Sequence, residues 1–206
     1  MLALFINSEK IKQESHEQLP GQESDEQLIR WVAAGEPAYL GALFERHHVS
    51  LYQFCLQLTR NRSLSEDLVQ DVFMKILKKA KSFRGEGSVK AWMFNIARNT
   101  TFDLLRKNKY RAGSEFENSR EEPIDVQSTE QVITHGQTLK QVTQALSSLP
   151  ESTREIIWLG RFVFDNYQDL GQALDCKAST ARVRMHRAMQ QLNDAFVQLH
   201  GAPFDA

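Results

Sequence analysis

Apolar residues recur at helical spacing through most of this chain, and no segment alternates apolar and polar positions as a half-buried strand would. Leu28 and Val32, with Trp31 beside them, mark a first helix that Gly35 closes. Pro37 suits the first turn of a second helix, which carries Leu40, Leu43, Phe44, Leu51, Phe54, Cys55 and Leu58 inward as far as Arg60. Ser63 and Glu66 read as a capping box for a third helix, whose Leu68, Val72, Phe73, Ile76 and Leu77 face the core. Ser82 to Gly87 is a glycine-containing loop, and Ser88 begins a fourth helix running to about Tyr110.

The periodicity then stops. Between Gly113 and about Thr134 the acidic residues Glu115, Glu117, Glu121, Glu122, Asp125 and Glu130 face Arg120 alone, with Pro123 and few large apolar groups, as in an extended linker. Helical patterns resume at about 137–147, 151–163, 167–174 and 178–199. The expected architecture is all-α: two small helical domains joined by an acidic linker, the second with a helix-turn-helix. The boundaries fall at 1–23 for a polar, loosely docked tail, 24–111 for the first domain, 112–136 for the linker and 137–200 for the second domain.

The last two helices carry the clearest chemistry. Asn166, with Asp169 three residues on, caps a short helix whose Leu170 and Leu174 point inward, and Gly171 allows a close helix crossing. Asp175 falls where such a turn often needs a positive φ. In the final helix Ala181, Met185, Ala188, Met189, Leu192, Phe196 and Leu199 form the stripe expected to bury. Ser179, Thr180, Val183, His186 and Arg187 lie opposite, flanked by Arg182 and Arg184. Small, hydroxylated and cationic groups at the start of a second helix suit base edges and phosphates in a major groove, although a solvated amphipathic helix has a similar pattern.

Charge and composition narrow the field. The formal net charge over 206 residues is −1, so the basic cluster is local rather than a property of the whole chain. Hydrophobic content of 41% and charged content of 25% fit a globular protein. The run Met1–Ile6 is too short for a membrane span and lacks the basic start and cleavage site of a signal peptide, so no membrane insertion is expected and the expected compartment is the cytoplasm. Cys55 and Cys176 are far apart with no metal-ligand spacing and read as buried free thiols. His47 and His48 are adjacent, with no HExxH spacing, and no nucleophile–base or phosphate-loop arrangement occurs. No catalytic, cofactor or metal site is expected.

Four segments occur in a telling order: EDLVQDVFMKIL (Glu66–Leu77), FRGEGSVKAWMFNIARNTTFDLLRK (Phe83–Lys107), LPESTREIIWL (Leu149–Leu159) and the terminal two-helix motif. Together they resemble bacterial RNA polymerase sigma factors of the extracytoplasmic-function group, over about residues 24–111 and 137–199. The resemblance implies two conserved regions, the first for polymerase binding, −10 recognition and melting, the second for −35 recognition. It implies core RNA polymerase as partner, through its β′ clamp helices and β flap, together with promoter DNA and an anti-sigma protein between the two domains.

Residue by residue, Asp67, Gln70, Asp71 and Met74 match the stripe that docks on the clamp helices, with Lys78 continuing it; such a stripe is also common as a plain solvated face. Arg84, Glu86, Ser88, Lys90, Asn95, Arg98, Asn99 and Arg106 are the −10 candidates. The cations Arg98, Arg106, Lys107, Lys109 and Arg111 oppose only Asp103 and suit phosphates, while the Arg84–Lys90 loop suits a base that has left the stack. Trp92 fits either a stacking role or the core, Phe94 and Phe102 are equally open, and Phe83 anchors the loop. Ser179, Thr180, Arg182, Val183, Arg184, His186 and Arg187 match the −35 surface, with Arg187 or Arg182 able to pair bidentately with guanine and Arg184 placed for phosphate. The linker matches a segment that threads the polymerase's RNA-exit path, although a soluble tether has the same composition. Phe164 and Asp175 stand where the family often has glycine, so a shifted turn is expected there. The competing reading is a polymerase-independent helix-turn-helix regulator, which leaves the Glu66–Leu77 stripe and the FRGE…IARN segment without a purpose.

Overall fold

The computed structural model describes residues 23–112 and 136–201, with side chains for 23–109 and 141–201. The expected tail before residue 23 and most of the acidic linker lie outside the described residues. Within them the chain forms helices α1 (Asp25–Ala34), α2 (Leu40–Thr59), α3 (Arg62–Lys79), α4 (Val89–Ala112), α5 (Gly136–Ser148), α6 (Glu151–Trp158), α7 (Tyr167–Ala173) and α8 (Ala178–His200), and no strand.

The helix boundaries follow from local chemistry. Ser24 and Gln27 exchange a reciprocal pair of side-chain to backbone bonds that caps α1. Pro37 opens a single 3₁₀ turn, Pro37–Tyr39, leading into α2, because its fixed φ suits a first turn and its missing N–H costs nothing there. Arg60 then takes a left-handed conformation, φ 53°, and stops α2. The capping box expected at Ser63 and Glu66 does not form. Asn61 caps α3 instead, its side chain accepting from the Leu64 N–H at 3.0 Å, so α3 already includes Ser63. Asn is as good an N-cap as Ser, and Arg60 leaves the chain extended at Asn61, one residue ahead of the helix. Ser88 caps α4 by accepting from the Ala91 N–H at 3.1 Å.

The core centres on Phe54, Phe94, Leu28, Ile29, Leu43, Leu51 and Ile76, all inaccessible to solvent. It does not end at α4. Leu159, Val163, Phe164, Leu170, Ala173, Leu174 and Ala181 belong to the same continuous apolar cluster. Phe94 meets Phe54 edge-on at 5.6 Å between centroids on one side and Phe164 edge-on at 5.6 Å on the other, each pair adding about 0.5–1.5 kcal/mol beyond burial. Phe94, left open by periodicity, is core, whereas Trp92 is half-buried against Phe83. A second small cluster of Leu149, Ile157 and Ala188 joins α5, α6 and α8.

Two other expectations change. Leu199 was placed in the buried stripe of the last helix but is 51% exposed, because Phe196 already fills that end of α8. Cys55 is a buried free thiol, whose pKa burial raises to about 11, but Cys176 is only half-buried at the turn before α8.

Candidate nucleic-acid and polymerase interfaces

In the α7–α8 unit the cap on α7 and the close crossing at Gly171 form as the sequence predicts. Asn166 accepts from the Asp169 N–H at 2.8 Å, capping α7. Asp175 sits at φ 53° and the Cys176 N–H closes the turn on the Gly171 carbonyl at 2.8 Å. A Cβ on Gly171 would stand 2.6 Å from the Cys176 carbonyl oxygen, so the close crossing needs glycine at this position. Ala181, Met185 and Ala188 bury, which turns Ser179, Thr180, Arg182, Val183, Arg184, His186 and Arg187 outward, every one of them exposed. Arg182 lies over the Tyr167 ring at 5.2 Å, which orients its guanidinium along the same face. Among the described residues an exposed surface bearing Arg182, Arg184 and Arg187 results.

On α3, Asp67, Gln70, Asp71, Met74 and Lys78 are likewise exposed and lie on one stripe, opposite the buried Leu68, Val72 and Ile76. Met74, 45% exposed, gives the stripe an apolar centre within acidic and amide neighbours.

The −10 candidates divide. Arg84, Glu86, Asn99 and Arg106 are exposed. Ser88, Lys90, Asn95 and Arg98 are not free, because α6, α7 and the turn between them pack against this face of α4. Lys90 Nζ donates to the Val163 carbonyl at 2.7 Å and lies over the Phe164 ring at 5.5 Å. Asn95 Nδ2 donates to the Ala173 carbonyl at 3.1 Å. Arg98 pairs with Glu155 at 2.5 Å. The Ser88 N–H donates to Gln172 Oε1 at 3.1 Å, and Gln172 Nε2 donates to the Glu86 carbonyl at 2.9 Å.

Glu155 is the electrostatic centre of this seam. Its side chain is 2% exposed, and burial pushes its pKa up to about 7 against the opposing pull of Arg98 and, more weakly, Arg184. Its ion pair with Arg98 ties α6 to α4 through a titratable group.

The chain matches known proteins over most of its length. Residues 43–111 match the family described as Sigma-70 region 2, which takes in α2 through α4. Three relatives extend the likeness past α4. The chain is 24% identical over 186 residues to the RNA polymerase sigma-H factor of Pseudomonas aeruginosa, covering 86% of this chain and 96% of that protein. It is 28% identical to the ECF RNA polymerase sigma factor SigM of Bacillus subtilis, covering 73% and 90%. To the RNA polymerase sigma factor NccH of Alcaligenes xylosoxydans it is 29% identical, covering 82% and 92%. In sequence the chain is similar to RNA polymerase sigma factors, among them members of the extracytoplasmic-function group.

Among solved structures, this chain resembles RpoE bound to the anti-sigma factor NepR, from Bartonella quintana, with a TM-score of 0.55, 26% identity and coverage of 85% and 97%. It shares the fold of CnrH in complex with the cytosolic domain of CnrY, with a TM-score of 0.62 at 23% identity and coverage of 86% and 99%. No described helix is long and apolar enough to cross a membrane.

The residues that sequence reasoning missed in this chain are Glu155, Phe164 as a packing residue, and Gln172. Glu155 had a readable signal, since it lies one turn before Leu159 in the stripe that buries on α6. Gln172, between Gly171 and Ala173, carried none.

Proposed function

We propose that this chain is an extracytoplasmic-function sigma factor that binds core RNA polymerase and directs promoter-specific initiation by reading −10 and −35 elements, with residues 24–111 and 137–200 as the two working domains. The exposed basic face of α8 carries the reading. Its groups are spaced for a major groove, and they sit on the second helix of a helix-turn-helix whose turn is tightly closed. Arg182 and Arg187 read bases, each bidentate pair with guanine contributing about 1–3 kcal/mol of discrimination, and Arg184 holds phosphate. Asp67, Gln70, Asp71 and Met74 dock on the β′ clamp helices, with charge complementarity setting the register.

For the −10 element, Arg106 and the basic end of α4 hold phosphates, and the Arg84–Lys90 loop receives an unstacked base. The acidic segment 112–136 follows the RNA-exit path. RpoE is seen with the anti-sigma factor NepR, and an anti-sigma protein is proposed for this chain on that likeness. The chain itself performs no catalytic step in this role; the bond-forming chemistry belongs to the polymerase.

The test is co-purification of the chain with core polymerase, followed by run-off transcription on promoters that respond to its overexpression. Polymerase-dependent transcripts with defined starts are expected. Tight DNA binding by the chain alone, with no transcripts, would make it an ordinary helix-turn-helix regulator.

A further inference from the structure

The loop assigned to an unstacked −10 base already has an occupant. Gln172 reaches from α7 into Gly85–Ser88, where its carboxamide makes two backbone bonds at once: Oε1 accepts from the Ser88 N–H at 3.1 Å, and Nε2 donates to the Glu86 carbonyl at 2.9 Å. The loop is shaped around it. A Cβ on Gly87, which sits at φ +82°, would fall 2.0 Å from Gln172 Oε1, so only glycine admits the side chain this far. An acceptor beside a donor on one planar edge is also what the pairing edge of cytosine or adenine presents to a protein that holds it out of the stack. The amide and the base edge therefore compete for the same two backbone groups.

Independent contacts hold Gln172 in place. Asn95 Nδ2 donates to the Gln172 and Ala173 carbonyls at 3.4 and 3.1 Å, tying the end of α7 to α4. Lys90 is bound to the Val163 carbonyl, and Phe164 packs on Phe94. Three of the −10 candidates thus donate to the chain's own second half: Ser88 through its backbone N–H, Lys90 through Nζ and Asn95 through Nδ2.

We propose that Gln172 is a built-in plug that occupies the −10 base pocket of the free chain, so that −10 single strand and the packed helix-turn-helix exclude each other. The proposal rests on the promoter-reading role of the Arg84–Lys90 loop. Withdrawal of α7 would clear the pocket and release Lys90, Asn95 and Arg98 in the same movement, so melting contacts become available only once the second half has moved to its own site.

The test uses the full-length chain and three variants: Gln172→Ala, which removes both bonds; Gln172→Glu, which keeps the shape but cannot donate to the Glu86 carbonyl; and Gln168→Ala, an exposed change on the same helix. Amide exchange is followed across Gly85–Ala91, and binding is measured to a fluorescent, randomised pool of single-stranded DNA, which lacks the major groove that α8 reads. Gln172→Ala should speed exchange at Ser88 and tighten single-strand binding by about tenfold, the loss expected for one to two hydrogen bonds; Gln172→Glu, whose carboxylate still accepts from the Ser88 N–H, should have a smaller effect on both, and Gln168→Ala should change neither. Unchanged exchange and binding would overturn the plug, and so would faster exchange without tighter binding, which would make Gln172 a packing contact alone. Polymerase-dependent transcription by the unmodified chain is scored separately. If it succeeds while the Gln172 variants behave like wild type, the plug fails and the promoter-reading role stands; if it is absent, that role fails whatever Gln172 does.

Discussion

Two helices in this molecule present polar, cation-bearing faces suited to DNA, and they are treated in opposite ways. The face of α8 from Ser179 to Arg187 is bare, with all seven candidate side chains exposed. The corresponding face of α4 is covered, with Lys90, Asn95 and Arg98 each bonded to an acceptor on α6, α7 or the turn between them. The covering elements belong to the same half of the chain as α8. The bare face and the covering surface thus lie on one continuous stretch of chain, α6–α8. Amphipathic pattern alone cannot distinguish the two faces, because a polar face that meets water and one that meets backbone carbonyls use the same residues.

The comparison is broken most strongly at its apolar hinge. Phe164→Ala removes a ring that is 6% exposed and stacked edge-on against Phe94, and a cost of about 3–5 kcal/mol to the stability of the packed form is expected. Denaturant unfolding should show a loss of that size, with a separate early transition as the second half detaches. A loss under about 1 kcal/mol would mean the two halves are not held by this contact.

The bare face is sharpened by Arg187→Ala. Initiation dependent on the −35 element should fall by about tenfold or more, for the 1–3 kcal/mol of one bidentate base contact, while affinity for core polymerase is unchanged. An equal loss of polymerase affinity in a pull-down would make Arg187 structural. The converse pair, Gln70→Ala with Asp71→Ala, should weaken core binding and leave single-strand DNA binding alone; unaltered core affinity would show the α3 stripe to be merely solvated.

A smaller effect comes through Glu155. Its pKa rises from 4.5 to about 7 in the packed form, chiefly by burial, so the packed form binds this proton more tightly than an opened one. The stabilisation is complete below about pH 4.5 and disappears as pH climbs to about 7, with no further change above. Asp25 acts in the opposite sense. The His47 hydrogen bond, with Arg46 adding to it against partial burial, holds its pKa below 3.8, and its contribution is lost only under acid conditions. Thermal unfolding of wild type against Glu155→Gln between pH 5 and 8 isolates the first effect: the wild type should lose ground steadily as pH rises. Parallel profiles would remove Glu155 from the account. The smallest effect is expected at Arg106, whose pair with Asp103 is widely exposed at 70% and 52%; Arg106→Ala should leave stability within about 0.5 kcal/mol while weakening DNA binding.

Much of this was legible in residue order. The helix spans from Pro37 to His200, the Asn166 cap and the tight crossing at Gly171 follow from periodicity and turn chemistry, which are local. The exposure of Arg182 to Arg187 followed because the opposite stripe was strongly apolar. The packing of α7 on α4 was not legible, because it is a long-range contact made by backbone carbonyls and one amide, and neither has a periodic signature. Ser63 was misread for a simpler reason: Ser and Asn are both good caps, and only the backbone at Arg60 decides which is used.

The difference between the two faces can be read from one side chain on each. Lys90 Nζ is held by the Val163 carbonyl over the Phe164 ring, whereas Lys177, just ahead of α8, is exposed. Competitive amine labelling of the free, full-length protein should modify Lys90 at about one-tenth the rate of Lys177 or less, with Phe164→Ala and Gln172→Ala raising the rate at Lys90 only. Equal rates at Lys90 and Lys177 in the wild-type chain would contradict the account.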